Sequence, residues 1–177
     1  NGVLRRFQRE RERLLARVPA EPMARFSQPE WFIEAMERAW PEQASSVLEG
    51  LLLRPAFTLR VDLSRTTLPE QARRLAAAGV PSRPVPGVPS ALMLERAVPV
   101  SELPGFAEGL VSVQDAGAQL AAGFLDLQPG MEVLDACAAP GGKTGHLLEQ
   151  VADLRLVALD VDETRLERVR QNLRRLG

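Results

Sequence analysis

The chain has 177 residues, of which 45% are hydrophobic and 25% are charged, and its formal net charge is −1. This composition is typical of a globular protein with one domain or two small ones, and it excludes a uniformly basic nucleic-acid-binding protein. The single cysteine excludes an internal disulfide, and the single histidine excludes a histidine-rich metal site, so we expect no metal.

The hydropathy and the charge pattern favour a cytoplasmic protein without a membrane partner. The sequence contains no apolar run of the roughly 18 residues that a membrane-spanning helix needs, and its beginning is charged rather than signal-like. Arginines cluster at both ends, where they either contact phosphates or form a solvated helix face. These arginines are Arg5, Arg6, Arg9, Arg11, Arg13 and Arg17, and then Arg165, Arg168, Arg170, Arg174 and Arg175.

Three helices are predicted in the first 55 residues. Residues 1 to about 18 form the first, which Pro19 ends. A capping box from Ser27 to Glu30 begins the second, and Pro41 begins the third. We expect apolar stripes of all three to pack inward: Val3, Leu4, Phe7, Leu14, Leu15 and Val18; Trp31, Phe32, Ala35, Met36, Ala39 and Trp40; Val47, Leu48, Leu51 and Leu52.

A small α/β module is predicted next. Residues 57–62 alternate between apolar and polar, which indicates a half-exposed strand. Arg60 on its exposed face either contacts RNA or forms a surface salt bridge. A capping box at Thr67 begins a helix, and the prolines between residues 81 and 89 predict an extended loop. Further strands are expected at 91–95 and 111–114.

Two aspartates are predicted to cap the later helices. Asp115 caps a helix with Ala116, Leu120, Phe124 and Leu125 on its apolar side. Asp162 caps the last helix, and the side chains of that helix expected to face a sheet are Leu166, Val169, Leu173 and Leu176.

The segment from Val133 to Thr144, VLDACAAPGGKT, predicts a buried strand, a tight glycine turn and the start of a helix. In an open α/β sheet a nucleotide-like ligand lies at this turn, because glycines let the backbone approach and the helix N-terminus offers free N–H groups. Cys137 stands where a P-loop needs its first glycine, and the glycine spacing is not that of a dinucleotide fingerprint.

A second buried strand is predicted at 156–159, and it ends at Asp160. An acidic residue at this point can accept hydrogen bonds from both hydroxyls of a ribose. A glycine turn and a carboxylate without a phosphate cradle suit a nucleoside ligand that has no phosphates, and S-adenosylmethionine is such a ligand.

The segment 135–144 resembles the cofactor motif of the Nol1/Nop2/Sun family of RNA cytosine-5 methyltransferases. Other segments similar to this family occur in the same order along the chain: residues 1–7, 103–106, 113–119 and 172–177. The resemblance implies an α/β fold in which the first part of a Rossmann-like class I methyltransferase sheet follows a helical segment and a small RRM-like module.

The resemblance also implies three domains and a chain incomplete at both ends. Residues 1–20 would be the last helix of a NusB-like helical RNA-binding domain, and residues 21–112 a helical linker with the small α/β module. Residues 113–177 would be the N-terminal part of the methyltransferase domain. We expect an incomplete sheet to expose an edge that pairs with another copy, although the sequence does not indicate an oligomeric state.

The resemblance assigns cofactor contacts residue by residue. Asp135 shapes the turn or approaches the methionine amino group, and Lys143 alternatively caps carbonyls or meets an RNA phosphate. Cys137 serves as a wall beside the cofactor or as a small buried hydrophobic residue, and we expect His146 on a helix surface. The expected S-adenosylmethionine-binding residues are Cys137, Ala138, Ala139, Pro140, Gly141, Gly142, Lys143 and Asp160.

Gln114, Asp115 and Gln119 match a family motif that borders the active site. The chain departs from the family pattern at two positions: Asp62 stands where relatives often have asparagine, and Gly117 stands where they often have serine. The assignment of a polar contact to Asp62 is therefore weaker, and a side-chain role at position 117 is lost.

The reaction implied is methylation of cytosine C5 in small-subunit (16S) ribosomal RNA, through a cysteine thiolate that adds to C6. The two working cysteines of the family would lie beyond residue 177, so this chain has no catalytic residue of its own and we expect it to be inactive alone. The alternatives are a non-catalytic RNA-binding module and another nucleotide-binding α/β enzyme.

Overall fold

The computed structural model describes residues 2–17 and 21–177, which form two compact units, Asn1–Pro55 and Ala56–Gly177. The predictions that fall on Asn1, Val18 and Pro19 lie outside the described residues. Among the helices in the described ranges, none has the length and apolar character needed to cross a membrane.

The first unit consists of four helices: α1 (Gly2–Leu15), α2 (Pro22–Phe26), α3 (Glu30–Ala39) and α4 (Ala44–Gly50). Its core is small: Phe26, Ile33 and Leu48 form a buried apolar cluster, and Phe32 and Met36 pack against them. Ala44 is also buried. The backbone of α1 departs from helical geometry at Glu10.

Several predictions for the first unit are wrong. The capping box fails because Pro29 occupies the N-cap position of α3, while Ser27 adopts a left-handed conformation that ends α2. The third helix begins at Ala44 rather than at Pro41. Much of each expected inward stripe is exposed, and Ile33 was missed. The exposed members are Val3, Leu4, Phe7, Leu15, Trp31, Trp40, Val47, Leu51 and Leu52.

The second unit begins with a four-stranded antiparallel sheet and one long helix. The elements are β1 (Phe57–Val61), α5 (Leu68–Ala77), β2 (Ser82–Val85), β3 (Val88–Leu94) and β4 (Val111–Val113), with a 3-10 turn at Val100–Glu102. The strand order is β2-β3-β1-β4, and the core beneath the sheet includes Leu59, Leu75 and Leu92.

The position of each strand explains two errors of prediction. The proline-rich segment forms a hairpin rather than a loop, with Gly87 in its turn at φ +77°. Pro84 is tolerated because β2 is an edge strand. Strand β1 lies between β3 and β4 and is buried on both faces, so the half-exposed strand is also wrong.

The rest of the second unit is a parallel strand pair with helices. The elements are α6 (Ala116–Gly123), β5 (Glu132–Asp135), α7 (Gly142–Gln150), β6 (Arg155–Ala158) and α8 (Glu163–Leu176). Strands β5 and β6 pair with Val133 opposite Leu156, and Ala138, Ala139 and Val169 form the buried core beside them.

Three helix caps predicted from the sequence are present in this unit. The hydroxyl of Thr67 accepts from the backbone N–H of Glu70, Asp115 caps α6 and Asp162 caps α8. The mixed α/β architecture is confirmed. The apolar side expected for α6 is wrong, because Leu120, Phe124 and Leu125 are exposed whereas Gln119 and Ala122 are buried.

Candidate functional site

A glycine turn between β5 and α7 forms the centre of the candidate site. The strand ends at Asp135, and the helix begins at Gly142, two residues before the predicted start. Gly141 has a φ of +96°, and a Cβ atom there would lie 3.2 Å from the Cα atom of Val169 on α8. Glycine is therefore required twice at this position, for its backbone conformation and for the close approach of α8.

Side chains from outside the turn hold its carbonyl groups. Two of them come from α8 and one from β1, so the turn is fixed by the helix beside it and by the four-stranded sheet. The donors reach three different carbonyl oxygens: Arg165 Nη2 to Ala139 (3.1 Å), Asn172 Nδ2 to Pro140 (2.8 Å) and Arg60 Nη1 to Gly142 (2.7 Å).

The N-terminus of α7 adds free donors to the turn. The first N–H groups of any α-helix have no partner within the helix, and the helix dipole makes this end partly positive. Within the described part of the chain, a Cβ atom built on Gly142 would meet no atom within 4 Å apart from its chain neighbours and its own helix, so the side of the turn at Gly142 is not packed against another element. This arrangement can bind a carboxylate or another electronegative group of a small ligand.

Asp160 follows β6 and contacts the same turn. Its Oδ2 atom accepts from the backbone N–H of Ala139 at 3.1 Å. Its Oδ1 atom accepts from the N–H of Asp162 at 3.2 Å and from Arg165 Nη1 at 3.4 Å. Desolvation raises the pKa of Asp160, but these backbone hydrogen bonds and the Arg165 guanidinium outweigh it and hold the pKa below its ordinary value. The group is therefore a carboxylate at neutral pH.

Asp135 and Thr144 join the end of β5 to the first turn of α7. The fully buried Thr144 donates its hydroxyl to Asp135 Oδ2 at 2.7 Å. This contact agrees with the prediction that Asp135 shapes the turn, and it leaves the other carboxylate oxygen of Asp135 outside the Thr144 contact.

The predicted cofactor residues from Cys137 to Gly141 lie on one loop, Gly142 and Lys143 begin α7, and Asp160 is bonded to the loop. Ala138, Ala139 and Gly141 are buried, whereas Pro140 and Lys143 are exposed. The interpretation of Cys137 as a buried hydrophobic residue is wrong, because the free cysteine is exposed.

His146 is buried, so its predicted place on a helix surface is wrong. Burial and the nearby Arg60 guanidinium both disfavour the protonated ring and lower the pKa of His146 to about 4. Nε2 lies 3.4 Å from Nε2 of Gln150, while Nδ1 has no hydrogen-bond partner among residues 2–17 and 21–177.

Arg60 is 1% exposed, so both predictions for it, an RNA contact and a surface salt bridge, are wrong. Its guanidinium forms a buried ion pair with Glu149 on α7. Sequence reasoning missed this pair because 89 positions separate the two residues. The sequence around Arg60 alternates between apolar and polar residues, so it gave no local signal that the arginine is buried.

The residues of the 113–119 motif connect α6 to the four-stranded sheet. Gln119 Nε2 donates to the backbone oxygens of Leu59 (3.3 Å) and Gln114 (3.1 Å), and Ser90 Oγ donates to Gln119 Oε1. Asp115 serves as an N-cap. These contacts are structural, and a place beside an active site stays a prediction.

At Asp62 and Gly117, the two departures from the family pattern, the hydrogen bonds join residues two positions apart in the chain. Asp62 Oδ1 accepts from the N–H of Ser64 at 3.0 Å and from its hydroxyl at 2.6 Å. The N–H of Gly117 donates to Asp115 at 2.8 Å, so position 117 contributes its backbone to the cap of α6.

Two family models match separate segments of the chain. Residues 28–101 match a domain described as "Methyltr_RsmF/B-like, ferredoxin-like domain". Residues 122–177 match "16S rRNA methyltransferase RsmB/F". The first match contains the four-stranded sheet up to β3, and the second contains the glycine turn and Asp160.

Curated relatives match over the whole chain. The protein named "Ribosomal RNA small subunit methyltransferase B" from Salmonella paratyphi B is 48% identical over 177 residues, which are 100% of this chain and 41% of the relative. The protein of the same name from Escherichia fergusonii is 46% identical with the same coverage. The chain thus spans about two-fifths of the length of these relatives.

Solved structures share the fold. A methyltransferase homologue from Pyrococcus horikoshii has a TM-score of 0.77 and 31% identity, over 88% of this chain and 52% of that chain. NSun6 from Pyrococcus horikoshii, solved with SFG, has a TM-score of 0.72 and 16% identity, over 84% of this chain and 63% of that chain.

Proposed function

We propose that this chain, which matches models of the RsmB/F family of 16S rRNA methyltransferases over residues 28–101 and 122–177, forms the S-adenosylmethionine-binding part of an RNA cytosine-5 methyltransferase. The observation that supports the cofactor site most is the contact between the glycine turn and the carboxylate of Asp160. It brings two separate parts of the predicted site together, across 21 positions of sequence.

The domain organisation belongs to the same proposal. Residues 1–20 would end a helical RNA-binding domain, and residues 21–112 would contain a linker and the four-stranded module. Residues 113–177 would begin the methyltransferase domain. The proposed partner is small-subunit ribosomal RNA, and the proposed location is the cytoplasm.

Three polar parts of the cofactor, which are the ribose hydroxyls, the methionine carboxylate and the methionine amino group, would have matching groups at or beside the turn. The ribose hydroxyls would donate to Asp160 Oδ1, whose present donors are long, while Oδ2 keeps the N–H of Ala139. Because the Asp160 side chain is 4% exposed, Arg165 would have to move aside, and that side chain is half exposed and therefore able to do so. The methionine carboxylate would meet the N–H groups of α7.

The methionine amino group would meet the oxygen of Asp135 that Thr144 does not use. Cys137, Pro140 and Lys143 would line the open side of the turn. Further support comes from the archaeal NSun6, which shares the fold and was solved with SFG, an analogue of S-adenosylmethionine.

The chemistry defines what this chain does and does not supply. A cysteine thiolate adds to C6 of cytosine, C5 then acts as the nucleophile, and loss of the C5 proton allows the thiol to leave. When bound, S-adenosylmethionine supplies the methyl group. The one cysteine of this sequence, Cys137, lies in the cofactor turn, so we propose that the 177-residue chain binds cofactor but does not turn over alone.

The test is calorimetric titration with S-adenosylmethionine of the unchanged chain and of two variants of one loop. Asp160→Asn keeps an oxygen for the N–H of Ala139 but removes the charge and one acceptor. We expect its affinity to fall on the order of tenfold or more, because a hydrogen bond to a charged group is lost. Asp162→Asn is the matched control, since asparagine also caps helices well, and its affinity should change less than twofold.

Equal losses in both variants would contradict the role of Asp160. If the unchanged chain binds no cofactor, the same titration is made on a full-length curated relative and on the corresponding aspartate variant. Absence of binding there would refute the proposed cofactor site.

A further inference from the structure

The buried Arg60 has more partners than an ordinary ion pair provides. Its Nε and Nη2 atoms donate to the two carboxylate oxygens of Glu149 at 2.7 and 2.6 Å, which is the bidentate geometry that arginine favours. Its third nitrogen, Nη1, donates to Gln114 Oε1 at 2.6 Å and to the backbone oxygen of Gly142 at 2.7 Å. One side chain of the four-stranded sheet thus contacts both ends of α7.

The contact at Gly142 reaches the proposed cofactor turn itself. Gly142 is the first residue of α7 and follows the left-handed Gly141. A cavity of about 180 Å³ lies behind this part of the turn, and Arg60, Gly141 and Gly142 are among the residues that line it. Because space remains there, van der Waals packing alone does not fix the turn on this side, and the hydrogen bond from Arg60 takes that role.

A second arginine, on α8, also connects a helix near the turn to the four-stranded sheet. Arg175 on α8 donates to the backbone oxygens of Phe106 (2.8 Å) and Val111 (3.0 Å) and to the hydroxyl of Ser112 (2.9 Å). Its guanidinium lies 4.2 Å from the centroid of the Phe106 ring. Arg175 therefore holds α8 to the four-stranded sheet without any of these bonds reaching the turn, which makes it a matched control for Arg60.

We propose that Arg60 is a positioning residue for the cofactor turn, through which the four-stranded sheet sets the conformation of residues 138–142. The inference rests on the proposed function, because that proposal makes this turn the cofactor site. It goes beyond that function by assigning a part of cofactor binding to the small sheet, which lies outside the methyltransferase domain.

The first test measures the turn directly and needs no cofactor. In hydrogen–deuterium exchange, the reporters are the N–H groups of Ala138, Gly141 and Gly145, which are bonded to Leu159, Ala138 and Gly141 respectively. The hairpin at 82–94 serves as the internal reference. Exchange of the reporters should be on the order of tenfold faster in Arg60→Lys, because lysine cannot reach both Glu149 and Gly142, while the hairpin changes little.

A second variant keeps the test decisive if Arg60→Lys does not fold. The pair Arg60→Met with Glu149→Leu leaves no buried charge without a partner, and such replacements are commonly tolerated. The turn should again exchange faster in this variant, and faster than in Arg175→Ala. If the turn and the hairpin change by the same factor, or if Arg175→Ala has the same effect on the turn, Arg60 is only structural and the proposal is overturned.

The second test separates this inference from the proposed function. In Arg60→Lys, the affinity for S-adenosylmethionine should fall several-fold, and the backbone N–H groups of the turn should exchange faster. In Asp160→Asn, the affinity should also fall, but exchange of the turn should be slower or unchanged. If the unchanged chain binds S-adenosylmethionine and Arg60→Lys binds it with the same affinity, the positioning role is overturned. Absence of cofactor binding in every protein tested would refute the proposed function, while the exchange data still decide whether Arg60 fixes the turn.

Discussion

Removal of the Glu149 carboxylate should destabilise the second unit strongly. Glu149→Ala leaves the guanidinium of Arg60, which is 1% exposed, without its charged partner and removes two short hydrogen bonds. Loss of one member of a buried pair costs about 3–5 kcal/mol, because the other charge stays buried without compensation. We take about 3 kcal/mol, since the Glu149 side chain is 9% exposed and water can partly reach the vacated position.

The expected change in melting temperature follows from the size of the unit. For a domain of this length each kcal/mol corresponds to roughly 4 °C, so the midpoint should fall by about 12 °C. Differential scanning calorimetry measures the shift, and urea unfolding should show a lower midpoint with an unchanged slope.

Glu167→Ala is the matched control for this experiment. Glu167 on α8 also contacts two arginine nitrogens, at 3.2 and 2.7 Å, but its side chain is 44% exposed. An exposed ion pair contributes little to stability because water screens it, so this variant should melt close to the unchanged protein. Similar shifts for Glu149→Ala and Glu167→Ala would refute the reasoning that burial makes the Arg60 pair decisive.

Three further variants test the turn and its helix. Gly141→Ala should lower stability by more than about 1 kcal/mol in urea unfolding, because its φ is +96° and the added Cβ would meet the facing helix, whereas Gly142→Ala has open space; equal effects would contradict the account. Thr144→Val should cost about 1–2 kcal/mol by the same assay, since it removes the donor to Asp135, and a neutral result would contradict that bond. His146→Gln should reduce the pH dependence of stability. The pKa of His146 is lowered to about 4 in the folded state, so the unfolded state binds more protons between pH 6.5 and 4 and stability falls as the pH falls through that window. After allowance for solvent screening, the unchanged protein should lose about 2 kcal/mol more than the variant between pH 7 and pH 4, and parallel curves would contradict the buried neutral ring.

The parts of the fold that the sequence predicted are those decided by local chemistry. The strand, turn and helix around Gly141 were predicted from residues within a dozen positions of one another. The burial expected for this strand and for the strand after it is wrong, because Leu134 and Val157 are exposed. The caps at Thr67, Asp115 and Asp162 depend on a side chain and a backbone N–H two or three positions away. Such contacts depend mainly on neighbouring residues, but the pattern alone is not sufficient, because the capping box from Ser27 to Glu30 did not form.

The errors concern residues whose environment is set by distant segments. Alternation along β1 predicted a half-exposed strand, but β3 and β4 flank it, and α7 supplies the partner of Arg60 from 89 positions away. His146 was expected on a helix surface because its position along α7 does not indicate that α6 packs against this helix. The hairpin containing Pro84 was missed because a proline is compatible with a strand only at an edge, and sequence does not show which strand is the edge.

The Arg60 pair also bears on how the two family domains depend on each other. Arg60 lies in the segment that matches the ferredoxin-like domain, and Glu149 lies in the segment that matches the methyltransferase domain. Neither residue is compatible with burial on its own, because each would leave an unpaired charge in an apolar environment. A methyltransferase domain separated from the small sheet would lose the neutralising partner of Glu149 and the donor to Gly142 in one step. The small sheet therefore supports the glycine turn through Arg60, and its presence beside the turn has an energetic reason that is independent of any contact with RNA.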